Sequence, residues 1–361
     1  MEKVLTAIYL LTRIGLRCKI RNSCINFSYI NFKYSRNFPL AEESGLFVFK
    51  AKKTGDNMKK VLFALTAVLA FALVATGCGG GGGSDEEEVA STPSGSAPEG
   101  FVAVPGGTVT GGINGSEVFI DGRTVELYVR WACDHEVTQA EYEAVMGRNP
   151  SYNIDNPADG EIQGNRPVEG VTWCDAIIYC NKRSYNEGKT PCYALNGETD
   201  TSLWNDALLR FYVTCNFYAD GYRLPTEAEW EYLARGGNMS NVGQTTYSGS
   251  NEIDNFAWYH GNSGDKTHEV KKKNPNALGL YDMSGNVMEW CWDFGREDLP
   301  ITVSTPSTGS DEWRLNRRIC RGGCCSFPDL GCSVAVRRDS EDLTGLRGSE
   351  LIGFRVVRSA D

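Results

Sequence analysis

Apolar and polar positions follow two periods along this chain, and neither lasts long. The helical period is clearest over Thr172 to Glu187, where apolar residues return every three or four positions. Thr138 to Met146 opens with a capping box, Thr138 as cap and Glu141 three residues on. Pro225-Thr226-Glu227-Ala228-Glu229-Trp230 carries the same signal, with Thr226 capping and Glu229 closing the box, and predicts a third, short helix. Elsewhere β-like runs such as Val125 to Val129 and Phe354 to Val357 lie in sequence rich in Gly, Asn and aromatic residues. So few regular elements between about Phe101 and Arg358 predict a loop-rich α+β domain without internal repeats.

The N-terminal part has a different pattern. Met58-Lys59-Lys60, the apolar run Val61 to Val74 and Ala75-Thr76-Gly77-Cys78 have the order of a secretory signal: a basic start, an apolar centre and small residues before the cleavage point. The run is shorter than the roughly 20 residues a membrane-spanning helix needs. Cys78 after small residues resembles a lipobox, which implies acylation of Cys78, although Ala75 stands where Leu is usual. Residues 1–57 are expected to be an upstream extension from a mis-assigned start, with 58–77 the signal peptide and 78–100 a flexible Gly/Ser/Thr/Pro and acidic tether. The domain is expected over 101–361.

Charge and cysteine content narrow the chemistry. Beyond Lys60 the chain has 24 basic against 42 acidic residues, a net of −18, which disfavours nucleic acid as a partner. Ten cysteines follow Cys78, and export would permit disulfides. Cys174 and Cys180 lie in a helix-like segment where buried free thiols fit equally well, so no pairing follows.

Four blocks along the domain resemble the formylglycine-generating (sulfatase-modifying) family: His135 to Tyr142; Arg166-Pro167-Val168 with Val171 to Ala176; Tyr222 to Glu231; and Asn276 to Tyr281 with Asp282 to Trp290. Arg321-Gly322-Gly323 and Ile352 to Val357 complete the pattern. The resemblance implies a C-type-lectin-like α+β fold. It also implies a structural calcium at Asn286, the Val287 carbonyl and Glu289, with Asn255 adding a weaker site; oxygen donors at close spacing suit a hard cation. A hydrogen-bonded turn without metal is the alternative.

The family's enzymes use two cysteines five positions apart near Arg-Gly-Gly to hold Cu(I). Here Cys332 stands at the second position but Phe327 at the first, while Cys324 and Cys325 lie eight and seven residues before Cys332. No copper and no catalysis are therefore expected. His135, His260 and His268 show no metal-ligand spacing, and Cys320, Cys324, Cys325 and Cys332 lack the C-x-x-C pair that would point to zinc.

The segment after Arg321-Gly322-Gly323 departs most from the family. A subset of the family, the variable proteins of diversity-generating retroelements, has adenines randomised in AAC codons, which then cannot encode Lys, Gln, Met, Trp or Glu. From Cys324 to Phe354 there is no Lys, Gln, Met or Trp, and Glu occurs only at 341 and 350. That resemblance implies a variable region at about 324–350. Its ligand-binding positions are expected to be Cys324, Cys325, Ser326, Phe327, Pro328, Asp329, Leu330, Val336, Arg338, Asp339, Ser340, Leu343, Gly348 and Ser349. The expected function is a surface lipoprotein of the bacterial outer membrane that binds an unknown protein or surface ligand. A copper-dependent oxidase and a structural envelope lipoprotein are the alternatives.

Overall fold

The computed structural model describes residues 96–110, 124–205, 212–238, 240, 242–294, 318–339 and 348–359, with an antiparallel hairpin near the N-terminus. That hairpin, β1 (Arg17–Ile20) and β2 (Ser23–Asn26), belongs to a compact unit spanning Met1–Gly82; the second unit spans Gly83–Asp361. The signal segment 58–77, Cys78 and the tether as far as residue 95 lie outside the described residues. Among the described residues no helix is long and apolar enough to cross a membrane.

The three expected helices form where their caps place them. They are α1 (Gln139–Met146), α2 (Trp173–Asn186) and α3 (Glu227–Ala234). Each begins with a full capping box, Thr138 with Glu141, Thr172 with Asp175 and Thr226 with Glu229, so two otherwise orphaned backbone donors are satisfied at each start. α2 buries Trp173, Ala176, Ile177, Tyr179 and Cys180 on one stripe, as its spacing predicts.

α3 differs from an ordinary surface helix, because all eight of its residues are buried. Its three carboxylates are each neutralised by arginine: Glu229 by Arg223 at 2.6 Å, Glu231 by Arg235 at 2.8 Å and Arg321 at 3.0 Å, and Glu227 by Arg337 at 2.5 Å. A buried acid survives only with such partners. Trp230, between them, is fully buried and donates its indole N–H to Glu289 at 2.8 Å.

Two four-stranded sheets frame the core. The first joins β3 (Phe101–Ala103), β6 (Trp131–Cys133), β14 (Val357–Arg358) and β9 (Tyr222–Arg223) in that order, all antiparallel. The second joins β12 (Arg337–Asp339), β11 (Arg318–Arg321), β10 (Met288–Phe294) and β13 (Ile352–Gly353), with β10 and β13 parallel. Two small ladders, β4 (Gly107–Thr110) with β5 (Thr124–Leu127) and β7 (Tyr193–Leu195) with β8 (Val213–Cys215), complete the described strands. The apolar run 354–357 is not one strand: the chain leaves the second sheet at Gly353 and enters the first at Val357. Between them Phe354 packs on Tyr142 and Tyr179, while Arg355 turns onto Glu289. The short crossing therefore ties the two sheets together. The loop-rich α+β, C-type-lectin-like expectation holds.

Asp293 on β10 accepts from the Glu227 backbone N–H at 2.7 Å, at the start of α3. Burial, reinforced by the charge of Glu227, pushes its carboxyl up to about 7. The raised folded-state value means this carboxyl is best tolerated protonated. Its contribution to stability is full at acid pH, below the unfolded value of 3.8, and is lost as pH rises through about 7. Asp293→Asn should keep the accepting oxygen and remove that share of the pH dependence. Chemical denaturation of both forms at pH 5 and pH 8 checks it: parallel profiles would refute the assignment.

Candidate functional site

The loop leaving β11 is fixed from below. Gly322 and Gly323 both adopt positive φ, 96° and 72°. At Gly323 a Cβ would lie 2.5 Å from the Gly331 carbonyl oxygen and 2.7 Å from the Cys332 Cα, so the returning chain can cross only over a glycine. The Cys325 N–H donates to the Asn286 carbonyl at 2.9 Å, Ser263 Oγ to the Cys325 carbonyl at 2.7 Å, and the His260 N–H to the Phe327 carbonyl at 2.9 Å. Beyond the 3-10 turn Asp329–Cys332, the Val334 N–H donates to Thr246 at 3.0 Å, and Arg321 reaches the Val334 carbonyl at 3.0 Å. Backbone is thus held on both flanks, while Pro328, Asp329 and Leu330 between them are exposed.

The exposed part is narrower than the sequence suggests. Pro328, Asp329, Leu330 and Arg338 are exposed and Ser326 and Phe327 half-buried, with Leu330 at 67% exposure. The Arg338 guanidinium stacks 4.3 Å over the Phe327 ring. Asp329 is close enough to add to the raised values of the Tyr247 and Tyr259 phenols, which come first from burial at Tyr247 and from the Asp254 hydrogen bond at Tyr259. His260 and Asp265, paired at 2.8 Å and both about two-thirds exposed, flank the same loop through the His260 backbone bond. These four neighbours come from a separate stretch, 247–265, and no spacing rule ties them to 324–339.

Several expected ligand positions are corrected. Cys324 and Cys325 are buried at 0% and 2% exposure, because the Asn286 and Ser263 bonds draw this backbone inward. Gly348 lies against Gly170: a Cβ there would be 1.8 Å from the Gly170 carbonyl oxygen, so no side chain fits in this conformation. Ser349 is half-buried and accepts the Gly170 N–H at 2.9 Å, serving the turn. Val336 is half-buried, and Asp339 pairs with Ile319 in β12. Ser340 and Leu343 lie outside the described residues.

The metal expectations also meet the geometry. Asn286 spends its amide on Glu136 at 2.7 Å and the His268 carbonyl at 3.2 Å, and its oxygen accepts the His268 N–H at 3.0 Å. Glu289 is held by Arg355 at 2.6 Å and by Trp230. Asn255 is exposed, and its carbonyl accepts from Asn274. Asn286, Val287, Glu289 and Asn255 therefore do not form a free calcium cage; the unpartnered buried oxygen of this turn is Asp282 Oδ1. Burial pushes the Cys325 thiol up to about 11 and the Cys332 thiol up to about 12, and raises Cys324 further, as it does for thiols in apolar surroundings. Cys133, Cys180, Cys192, Cys215, Cys291, Cys320, Cys324, Cys325 and Cys332 are free thiols.

The model of the sulfatase-modifying factor enzyme 1-like domain matches residues 86–360. The chain is similar to the chaperone protein LppX of Paenibacillus barcinonensis, 40% identical over 245 residues covering 62% of this chain and 78% of that protein. To the formylglycine-generating enzyme of Streptomyces coelicolor it is 33% identical over 180 residues, 44% of this chain and 51% of that enzyme, so it spans about half the enzyme's length. Among solved structures, variable protein 1 of Treponema denticola superposes with a TM-score of 0.61 at 36% identity, covering 72% of this chain and 94% of that one.

Proposed function

The chain belongs to the sulfatase-modifying factor enzyme 1-like domain family, and we propose that within it this protein is a non-catalytic, ligand-binding lipoprotein of the bacterial envelope. Its binding surface is the loop 326–330 with Arg338, and its diversity comes from a retroelement template. The observation that carries this reading is the arrangement of that loop, with backbone pinned to Asn286, Ser263 and His260 beneath exposed Pro328, Asp329 and Leu330. Such a frame lets side chains change without loss of the core, and a pre-ordered backbone lowers the entropic cost of each new contact. Leu330 and Phe327 supply apolar area, and Arg338 and Asp329 supply charge and direction. The similarity to Treponema denticola variable protein 1 agrees with this reading, and the similarity to the chaperone protein LppX agrees with an envelope lipoprotein. The signal pattern before Cys78 supports anchoring in the envelope through Cys78, with the domain at the end of its tether.

Leu330→Ser and Arg338→Ser should each change stability by no more than about 0.5 kcal/mol, as exposed positions do. Phe327→Ser should cost about 1 kcal/mol, because the half-buried ring also packs on the core cluster. All three should alter which partners a surface-ligand array captures. An array profile identical to the parent for all three variants would count against this surface.

A further inference from the structure

We infer that Cys133, Asp134 and His135 form a mixed thiolate–carboxylate–imidazole site for a divalent zinc-like ion, independent of the loop above. Each offers one ligand atom, and the three atoms lie within 4.8 Å of one another. His135 Nδ1 is 2.5 Å from Asp134 Oδ1 and 3.7 Å from Cys133 Sγ, so all three donors converge on one edge of the imidazole. Zinc bonds of about 2.3 Å to sulfur and about 2.0–2.2 Å to nitrogen and oxygen are within reach of small side-chain rotations from these separations.

The backbone behind the site is rigid. Cys133 ends β6, its N–H donating to the Val356 carbonyl at 3.0 Å and its carbonyl accepting from Arg355 at 3.1 Å. Asp134 is fixed on both sides, donating to the Gly100 carbonyl and accepting from the Tyr281 N–H, each at 2.8 Å. The outer shell is equally definite. Glu141 Oε2 lies 3.4 Å from His135 Nε2 and is itself held by the Thr138 cap at 2.8 and 3.1 Å. A carboxylate on the far ring nitrogen is the usual way of aiming a metal-bound imidazole. Lys271 holds Asp134 Oδ2 at 2.7 Å, so Oδ1, which lies against His135 Nδ1, is the oxygen that turns to the ion.

One sulfur, one nitrogen and one oxygen suit a borderline ion such as Zn2+ better than calcium or magnesium, which prefer oxygen donors alone. His135 and Asp134 keep 14% side-chain exposure, so a water completes a four-coordinate shell. Ligation by Cys133 Sγ and His135 Nδ1 displaces any proton held on those atoms to solvent. Thiolate and Asp134 then balance the two charges of the ion.

The test titrates the full chain with Co2+ as a spectroscopic stand-in. One equivalent should produce thiolate-to-cobalt absorption in the near ultraviolet with tetrahedral visible bands, both displaced by Zn2+. Cys133→Ser and His135→Gln should each abolish this spectrum, and Glu141→Gln should weaken binding about 10- to 100-fold. Circular dichroism confirms folding; if Cys133→Ser fails to fold, His135→Gln decides, since its site is at the surface edge of the core. The absence of a tetrahedral spectrum overturns the proposal, and so does one that survives in His135→Gln, which assigns the metal to other thiols.

Discussion

Arg355→Met is expected to unfold the domain or bring it to the edge of unfolding. Arg355 is fully buried and makes a two-armed contact with Glu289 at 2.6 and 2.8 Å, while its remaining N–H groups serve the Cys133 and Tyr281 carbonyls at 3.1 and 2.8 Å. Glu136 and Asp282 are buried in the same region. Burial, with the neighbouring carboxylates, pushes Glu136 well up and Asp282 up to about 6. Removing the guanidinium therefore leaves several acids without compensation, which costs about 3–5 kcal/mol for a buried pair broken on one side. A domain typically has only about 5–15 kcal/mol to lose. The same side chain joins the two sheets at their crossing, so the damage is not local. Urea denaturation of the variant should show a midpoint far below the parent or no native baseline; a midpoint within experimental error of the parent would contradict this role.

Gly323→Ala is the second large effect, and it acts on the loop specifically. The residue's φ of 72° alone costs about 1–3 kcal/mol for a residue with a Cβ. The methyl would also meet backbone atoms of Gly331 and Cys332, which cannot swing aside as the end of a side chain could. The turn carrying Pro328 to Leu330 must then shift as a body. Loss of stability should thus accompany loss of ligand capture even though no contacting side chain has changed. Leu330→Ser, in contrast, should alter capture with stability intact. Thermal melting alongside the ligand array separates the two cases.

The helices and their starts were legible because a Thr with an acid three residues later is a local signal that needs no tertiary partner. α3 was legible in position but not in burial. Glu227, Glu229 and Glu231 resemble a solvated face, and their burial is made tolerable by Arg223 and Arg235 close by and by Arg321 and Arg337, up to 110 positions away. Phe354 to Val357 read as a strand for a related reason: its apolar residues are core residues, but the backbone switches sheets beneath them. At the site, the identity of the outward residues Pro328 to Leu330 followed from the family frame on either side. The inward turn of Cys324 and Cys325 did not, because it depends on Asn286 and Ser263, and nothing in the order of residues links those positions. The crowding at Gly348 is set by Gly170 in the same way. Long-range backbone contacts leave no period and no motif.

A rigid frame with exchangeable outward side chains requires that tolerance to change follow this geometry position by position. The direct measurement is a library of full chains with positions 324–330, 338 and 348 each randomised in turn, scored for survival of a protease that cleaves unfolded protein. Most substitutions at Pro328, Asp329, Leu330 and Arg338 should survive, Phe327 should favour apolar residues, and most at Cys324, Cys325 and Gly348 should be lost. Uniform loss across 328–330 and 338, or uniform survival at Cys324 and Gly348, would contradict the account.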